Sequence, residues 1–284
     1  MVRVAASADS TTVGISGRGI SLSADFQLAP GITLRTNPPK HELPVVANGC
    51  DSFEEYAAIV SMMPQASFYL EVEHPPGGKD LAVKAWNSLW LFHLLAVACQ
   101  TPCESLYSWC GHKKVAFSVA TAYPMQWEDN PVAVSDSMLA WAKQHQGNFD
   151  HLLENEAFKR ALLSYCNSHH LFGFESRVML LWSGIECLFE ASTELTRTLA
   201  IYSALMLDKT SPNSRYELYK RIRKEYERRS KVVHGSRDKK FPVEQAYKGA
   251  SEILIRLLAR CVEISRVPTP EELDRAALVG FIDN

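Results

Sequence analysis

The sequence predicts an α+β chain in which a small mixed α/β N-terminal unit is followed by an all-α helical bundle. Three observations predict it. Before residue 125, several short runs alternate apolar and polar residues, the period of a half-buried strand. From residue 136 to 276 apolar residues recur three and four apart, the helical period, with no convincing strand. Between them Tyr123 to Ser135 carries two prolines and reads as a linker. The expected domains are therefore 1–125 and 136–284.

In the first unit Ile20, Leu22, Ala24, Phe26 and Leu28 alternate as a strand. Pro30-Gly31 marks a turn, and Ile32-Thr33-Leu34 returns as its hairpin partner. Asp51 is the expected cap of a short helix from Phe53 to Met62, with Glu54 and Glu55 in its first turn. Ser67 to Glu73 reads as a strand, residues 80 to 100 as one long buried helix, and Val115, Phe117 and Val119 as a further strand. In the second unit helices are expected near 136–145, 149–168, 174–191, 195–208, 214–234 and 242–265. Thr269-Pro270 opens a short last one.

A 284-residue chain with 46% hydrophobic and 22% charged residues is ordinary for a globular protein with a substantial core. The N-terminus lacks the apolar run of a signal peptide, and the run Leu89 to Ala98 is too short to span a bilayer, so no membrane association is expected. Seven cysteines, several in apolar helical patterns, point to reduced thiols in a cytoplasm rather than a disulfide framework.

The charge is concentrated in one place. Residues 213–240 hold eleven Lys or Arg against four Asp or Glu, a local +7 in a chain of net charge −2, which leaves −9 for the remainder. Such a footprint suits phosphates, although most charge runs are solvated helix faces. Ser214 and Glu217 form a capping box at its start, and Gly235 sits where a helix ends in a left-handed cap. Tyr219, Ile222, Tyr226, Arg229 and Val233 share one face. Arg229 is the odd member of that stripe. A guanidinium on a core-facing position requires a partner, a dimer interface or a ligand.

Other constellations carry less. Cys99, Cys103, Cys110 and His112 lack the paired short spacing of a zinc site, and no metal is expected. His169-His170 has no acidic or thiol partner nearby in sequence. No nucleophile elbow and no glycine-rich phosphate loop is present. Glu186, inside an apolar helix, is either a buried acid satisfied by an arginine such as Arg197 or a group that orients a catalytic residue. Arg229 and His234 lie about 140° apart on an unbroken helix. They converge if two copies of the helix face each other in a dimer, with unwinding at His234-Gly235 contributing.

At these residues the chain resembles the HEPN superfamily, most closely its ApeA-like branch. The resemblance rests on Glu217-Leu218-Tyr219, on Arg229-Ser230-Lys231-Val232-Val233-His234-Gly235, and on the apolar helix Leu181 to Leu188 with its internal Glu186. It covers roughly residues 140 to 265. It implies a helical bundle that homodimerises and cleaves RNA with no metal or other cofactor, in phage defence or a toxin-like system. Carried over, Arg229 and His234 are the active pair, with Ser230 beside them and Glu186 supporting. A histidine that titrates near neutrality suits proton transfer at a ribose 2′-hydroxyl, and an arginine suits the phosphate. Lys220, Arg221, Arg223, Lys224, Arg228, Lys231 and Arg237 are the expected guides for the RNA backbone. Ser236 stands where nucleotidyltransferase-paired members carry a tyrosine, a departure that speaks against regulation by tyrosine AMPylation. A toxic nuclease requires control, so an inhibitory or sensing partner is a further expectation. Two other readings stay open: a non-catalytic RNA- or nucleotide-binding module, and a structural dimer that senses through residues 1–125.

Overall fold

The computed structural model describes residues 3–5, 7, 9–75, 77–111, 114–121, 130–191, 194–233 and 242–279. Its chain divides into two compact units, residues 1–144 and 145–284.

The first unit is built on a six-stranded antiparallel sheet. Its strands are β1 (Thr12–Arg18), β3 (Phe26–Ala29), β4 (Ile32–Arg35), β5 (Phe68–Glu73), β6 (Glu104–Cys110) and β7 (Ala116–Val119), in the order β3-β4-β5-β1-β6-β7. A two-residue strand β2 (Ile20–Ser21) pairs in parallel with β8 (Val132–Ala133). The helices are α1 (Leu43–Gly49), α2 (Phe53–Met62), α3 (Gly78–Asn87) and α4 (Trp90–Cys99). Val46 of α1 and Ile59 and Met62 of α2 pack on Leu106, Tyr107 and Phe117 of β6 and β7.

The expected hairpin forms: Phe26 pairs with Leu34 across Pro30-Gly31, and Gly31 takes the positive φ of 65° that the turn requires. The single strand expected from Ile20 to Leu28 does not. It is broken between β2 and β3, and the central strand of the sheet is β1. Val13 and Ile15 of β1 are buried, while Gly14 lies under Trp109, where a Cβ would come within 2.2 Å of the indole. Its glycines hide β1 from a pattern search because a neighbour's ring fills the space that its own side chain would occupy.

Two expected boundaries shift for identifiable reasons. The cap of α2 is Ser52, whose Oγ accepts from the Glu55 amide at 3.1 Å, rather than Asp51. The helix expected over 80–100 is two helices. Ser88 Oγ donates to the Lys84 carbonyl at 2.8 Å, the back-bonding that bends a helix. The stretch Gly78–Cys99 is long and apolar enough to cross a bilayer, but half of its apolar window is buried inside the protein, as in a core helix.

Two histidines of this unit are held neutral. His93 is half-buried, its Nδ1 has no hydrogen-bond partner among the described residues, and burial pushes its pKa down to about 4 against the opposing pull of Glu104. His41, edge-on to Tyr107, Trp109 and Phe117, is pushed down by burial as well. Unfolded, both take up protons near pH 6.5. Between pH 6.5 and 4 the unfolded chain therefore binds more protons than the folded one. Stability is present above pH 6.5 and falls as pH drops towards 4, by no more than about 3 kcal/mol for His93. Denaturant titrations at pH 7 and 4.5 check this, and His93→Gln is expected to lose less stability on acidification than the wild type.

The second unit is helical throughout its described residues. It contains α6 (Glu156–Ser168), α7 (Phe174–Leu188), α8 (Leu195–Leu207), α9 (Pro212–Val233), α10 (Val243–Ile264) and α11 (Pro270–Val279). The preceding α5 (Asp136–Leu152) runs across the division between the units. The helix expected over 149–168 begins at 156 instead, because Asn155 Oδ1 accepts from the Phe158 amide at 2.9 Å and caps α6. Phe158, Leu162, Leu181, Trp182, Ile185, Leu254 and Leu258 are fully buried in its core, and α9 packs against α8, α7 and α10. Tyr202 of α8 donates to Asp274 at 2.7 Å and ties α11 in place.

Candidate functional site

The basic helix α9 starts three residues earlier than its sequence suggests. Ser211 Oγ accepts from the Ser214 amide at 3.1 Å and Pro212 opens the first turn, whereas Ser214 turns its hydroxyl to Asp208. A proline at the first helical position is the stronger signal, since its missing N–H costs nothing there. Ile222, Glu225, Tyr226 and Val232 are buried positions of this helix among the described residues, and Arg229 lies half-buried among them.

Two residues singled out by sequence meet here. Glu186 and Trp182 lie one turn apart on α7, and Tyr226 and Arg229 one turn apart on α9. The Tyr226 hydroxyl donates to Glu186 Oε1 at 3.1 Å, and Arg229 Nη2 reaches the same oxygen at 3.5 Å. The Arg229 guanidinium also lies over the Tyr226 ring, 5.4 Å from its centroid. Trp182, wholly buried, meets that ring edge-on at 4.9 Å and 87°. Burial, then the Glu186 charge, raise the Tyr226 phenol above its ordinary value, so it remains a donor at neutral pH. Arg229 Nε is buried with no hydrogen-bond partner among the described residues.

Glu186 is therefore satisfied by Arg229 and Tyr226, not by Arg197, which pairs with Glu194 at 3.8 Å. It is also less buried than expected, with side-chain exposures of 22% for Glu186 and 26% for Arg229. Tyr226 was visible only as a stripe residue, and its three-residue spacing from Arg229 is the signal that joins them. Ser230 is half-buried and makes no side-chain hydrogen bond among the described residues. His234, Gly235, Ser236 and Arg237 lie outside the described residues, as does His112.

The expected RNA guides divide into two groups. Lys220 pairs with Glu217 at 2.6 Å, Arg223 with Glu227 at 3.3 Å, Arg228 with Glu225 at 2.7 Å, and Arg221 with Glu252. Lys224 and Lys231 are exposed and form no ion pair among the described residues. Glu225 is itself buried, admitted by Gly249 of α10, where a Cβ would sit 2.6 Å from its carboxylate. On its other side Glu186 lines an open cavity of about 410 Å³ with Glu156, Arg160, Cys187 and Glu190. Three carboxylates against one guanidinium make that side unsuited to a phosphate chain.

Cys99 and Cys261 are buried, and burial pushes both thiols up to about 12, the behaviour of small hydrophobes rather than ligands. No family model, no curated protein and no solved structure matches the chain.

Proposed function

We propose that the second unit is a HEPN-type endoribonuclease that acts as a homodimer, with Arg229 and His234 as its reacting pair. The observation that supports it best is the setting of Arg229. It is held by Glu186 and Tyr226 on the core-facing stripe, five residues before His234, with one guanidinium N–H unpaired among the described residues. In this reading His234 takes the proton of a ribose 2′-hydroxyl, and the 2′-oxygen attacks the adjacent phosphorus. The P–O5′ bond breaks and the 5′-oxygen receives a proton, which leaves a 2′,3′-cyclic phosphate and a 5′-hydroxyl. Arg229 offsets the charge that grows on the phosphoryl oxygens.

The test is incubation of an end-labelled structured RNA in EDTA with wild type and His234→Ala, followed by end-group analysis. Cleavage to a cyclic phosphate by the wild type alone is expected. Equal cutting by the variant rules the histidine out. A second reading, a non-catalytic RNA-binding module, has one observation in its favour: Glu186 already neutralises Arg229, and four neighbouring cations are paired. It expects salt-sensitive RNA binding without product.

A further inference from the structure

On the sheet face of the first unit that packs against α1 and α2, aromatic rings gather around Trp109 of β6. The indole fills the space over Gly14 of β1, where a Cβ would lie 2.2 Å from the ring. Tyr69 of β5 stands 5.3 Å away, tilted by 51°. His41, just before α1, stands at 5.1 Å and 65° and also meets Phe117 of β7 at 4.8 Å. Because β5 and β7 flank β1 and β6, Tyr69 and His41 are on opposite sides of the indole. The three rings thus form a base and two slanted walls. All three are half-buried, so part of each stays open to solvent. The Tyr69 hydroxyl and the Trp109 indole N–H take no hydrogen bond among the described residues.

The rim of this hollow is negative. Gly14 pairs with Glu71 on one side and with Trp109 on the other, so the Glu71 carboxylate leaves the sheet on the same face with no side chain of β1 between it and the indole. Glu71 Oε1 accepts from Arg35 Nε at 2.9 Å and from its Nη2, while Oε2 takes no hydrogen bond among the described residues. Arg35 is engaged on its other edge as well, where Nη1 donates to Asp25 at 2.8 Å. Two carboxylates therefore outweigh one guanidinium. Residues 1–144 as a whole hold nine Lys or Arg against thirteen Asp or Glu, a net −4. His41, held neutral by burial, adds no positive charge.

We propose that this hollow binds an organic cation, a quaternary or methylated ammonium, over Trp109 and between Tyr69 and His41, with Glu71 as its counter-ion. The faces of aromatic rings are negative and attract such a cation. Methyl groups in place of N–H leave it no hydrogen bonds to satisfy, whereas a bare ammonium needs acceptors that rings do not supply. A phosphate-bearing ligand would meet the carboxylates of Glu71 and Asp25 instead.

The ammonium has two sources, a small solute or a lipid headgroup, and the proposal rests on no part of the ribonuclease reading. The experiment is a nuclear magnetic resonance titration of the isotopically labelled full chain with choline, with its uncharged isostere neohexyl alcohol, with methyl glucoside and with phosphatidylcholine vesicles. The Trp109 indole N–H signal, identified by its absence from Trp109→Phe, is the readout. Glu71→Gln and Tyr69→Leu are compared with wild type, and circular dichroism verifies their folding. Choline is expected to move the indole signal, with a dissociation constant in the millimolar range, and the isostere to bind at least about fivefold more weakly. Each substitution should weaken choline about twofold to fivefold, the effect of one exposed cation–π contact or one partly screened charge. Loss of the signal on vesicles assigns the site to a headgroup, and an unaltered spectrum there assigns it to a solute. No movement of the indole signal with choline overturns the proposal. So does binding of the isostere or of methyl glucoside as tight as that of choline, or choline binding that ignores both substitutions.

Discussion

Arg229→Ala is expected to lower RNA cleavage about 100- to 1,000-fold, the range for removing one preorganised donor from a developing oxyanion. The fold should survive it. The Glu186 pair is partly solvated, and such pairs contribute about 0–1 kcal/mol, so the melting temperature should move by only a few degrees. Glu186 keeps the Tyr226 hydroxyl as a donor when the arginine is gone. Arg229→Lys restores the charge without the planar fork or its stacking on Tyr226 and is expected to recover only part of the rate. Initial rates on a labelled RNA, with thermal melts of each variant, separate lost chemistry from lost folding. An alanine variant that cuts at the wild-type rate would remove Arg229 from the reaction.

Trp182→Ala is expected to cost about 3–5 kcal/mol of stability, the cost of deleting a buried indole and leaving a cavity behind. The ring has no solvent exposure and supports Tyr226, on which Arg229 in turn lies. Its loss should therefore reduce activity even where the variant is still folded, because the platform under the guanidinium is free to tilt. Trp182→Phe keeps most of the volume and should cost much less. Urea denaturation of both variants provides the measurement. A loss below about 1 kcal/mol for the alanine variant would contradict the packing that joins α7 to α9.

The helical half of the chain is legible because its signals are local. Apolar residues at helical spacing locate α7, α8, α10 and α11 to within a few residues, and the misplacements occur where a stronger cap competes, at Ser211-Pro212 and at Asn155. The sheet is less legible because its pairing is not local. Strand β1 draws its partners from residues 68–73 and 104–110, and its glycines make sense only with Trp109 across the ladder. The candidate site shows the same division. Arg229 and Glu186 stand out singly as charges on apolar faces, yet their pairing requires the crossing of α7 and α9. The buried Arg18 was invisible for the same reason. Its acceptors Glu104 and Gln65 come from distant segments, and nothing near it in sequence marks a guanidinium with 2% exposure.

The ion pairs along α9 bear on how this helix meets a polyanion. Of its cations, Lys224 and Lys231 are the exposed ones outside any ion pair among the described residues. Neutralising two phosphates of a single strand displaces few condensed counterions, with a slope of log K on log salt of about −1.4. The helix is thus closer to a zwitterionic ridge than to a polycation. A strand held by these two lysines alone would show a correspondingly shallow dependence on salt.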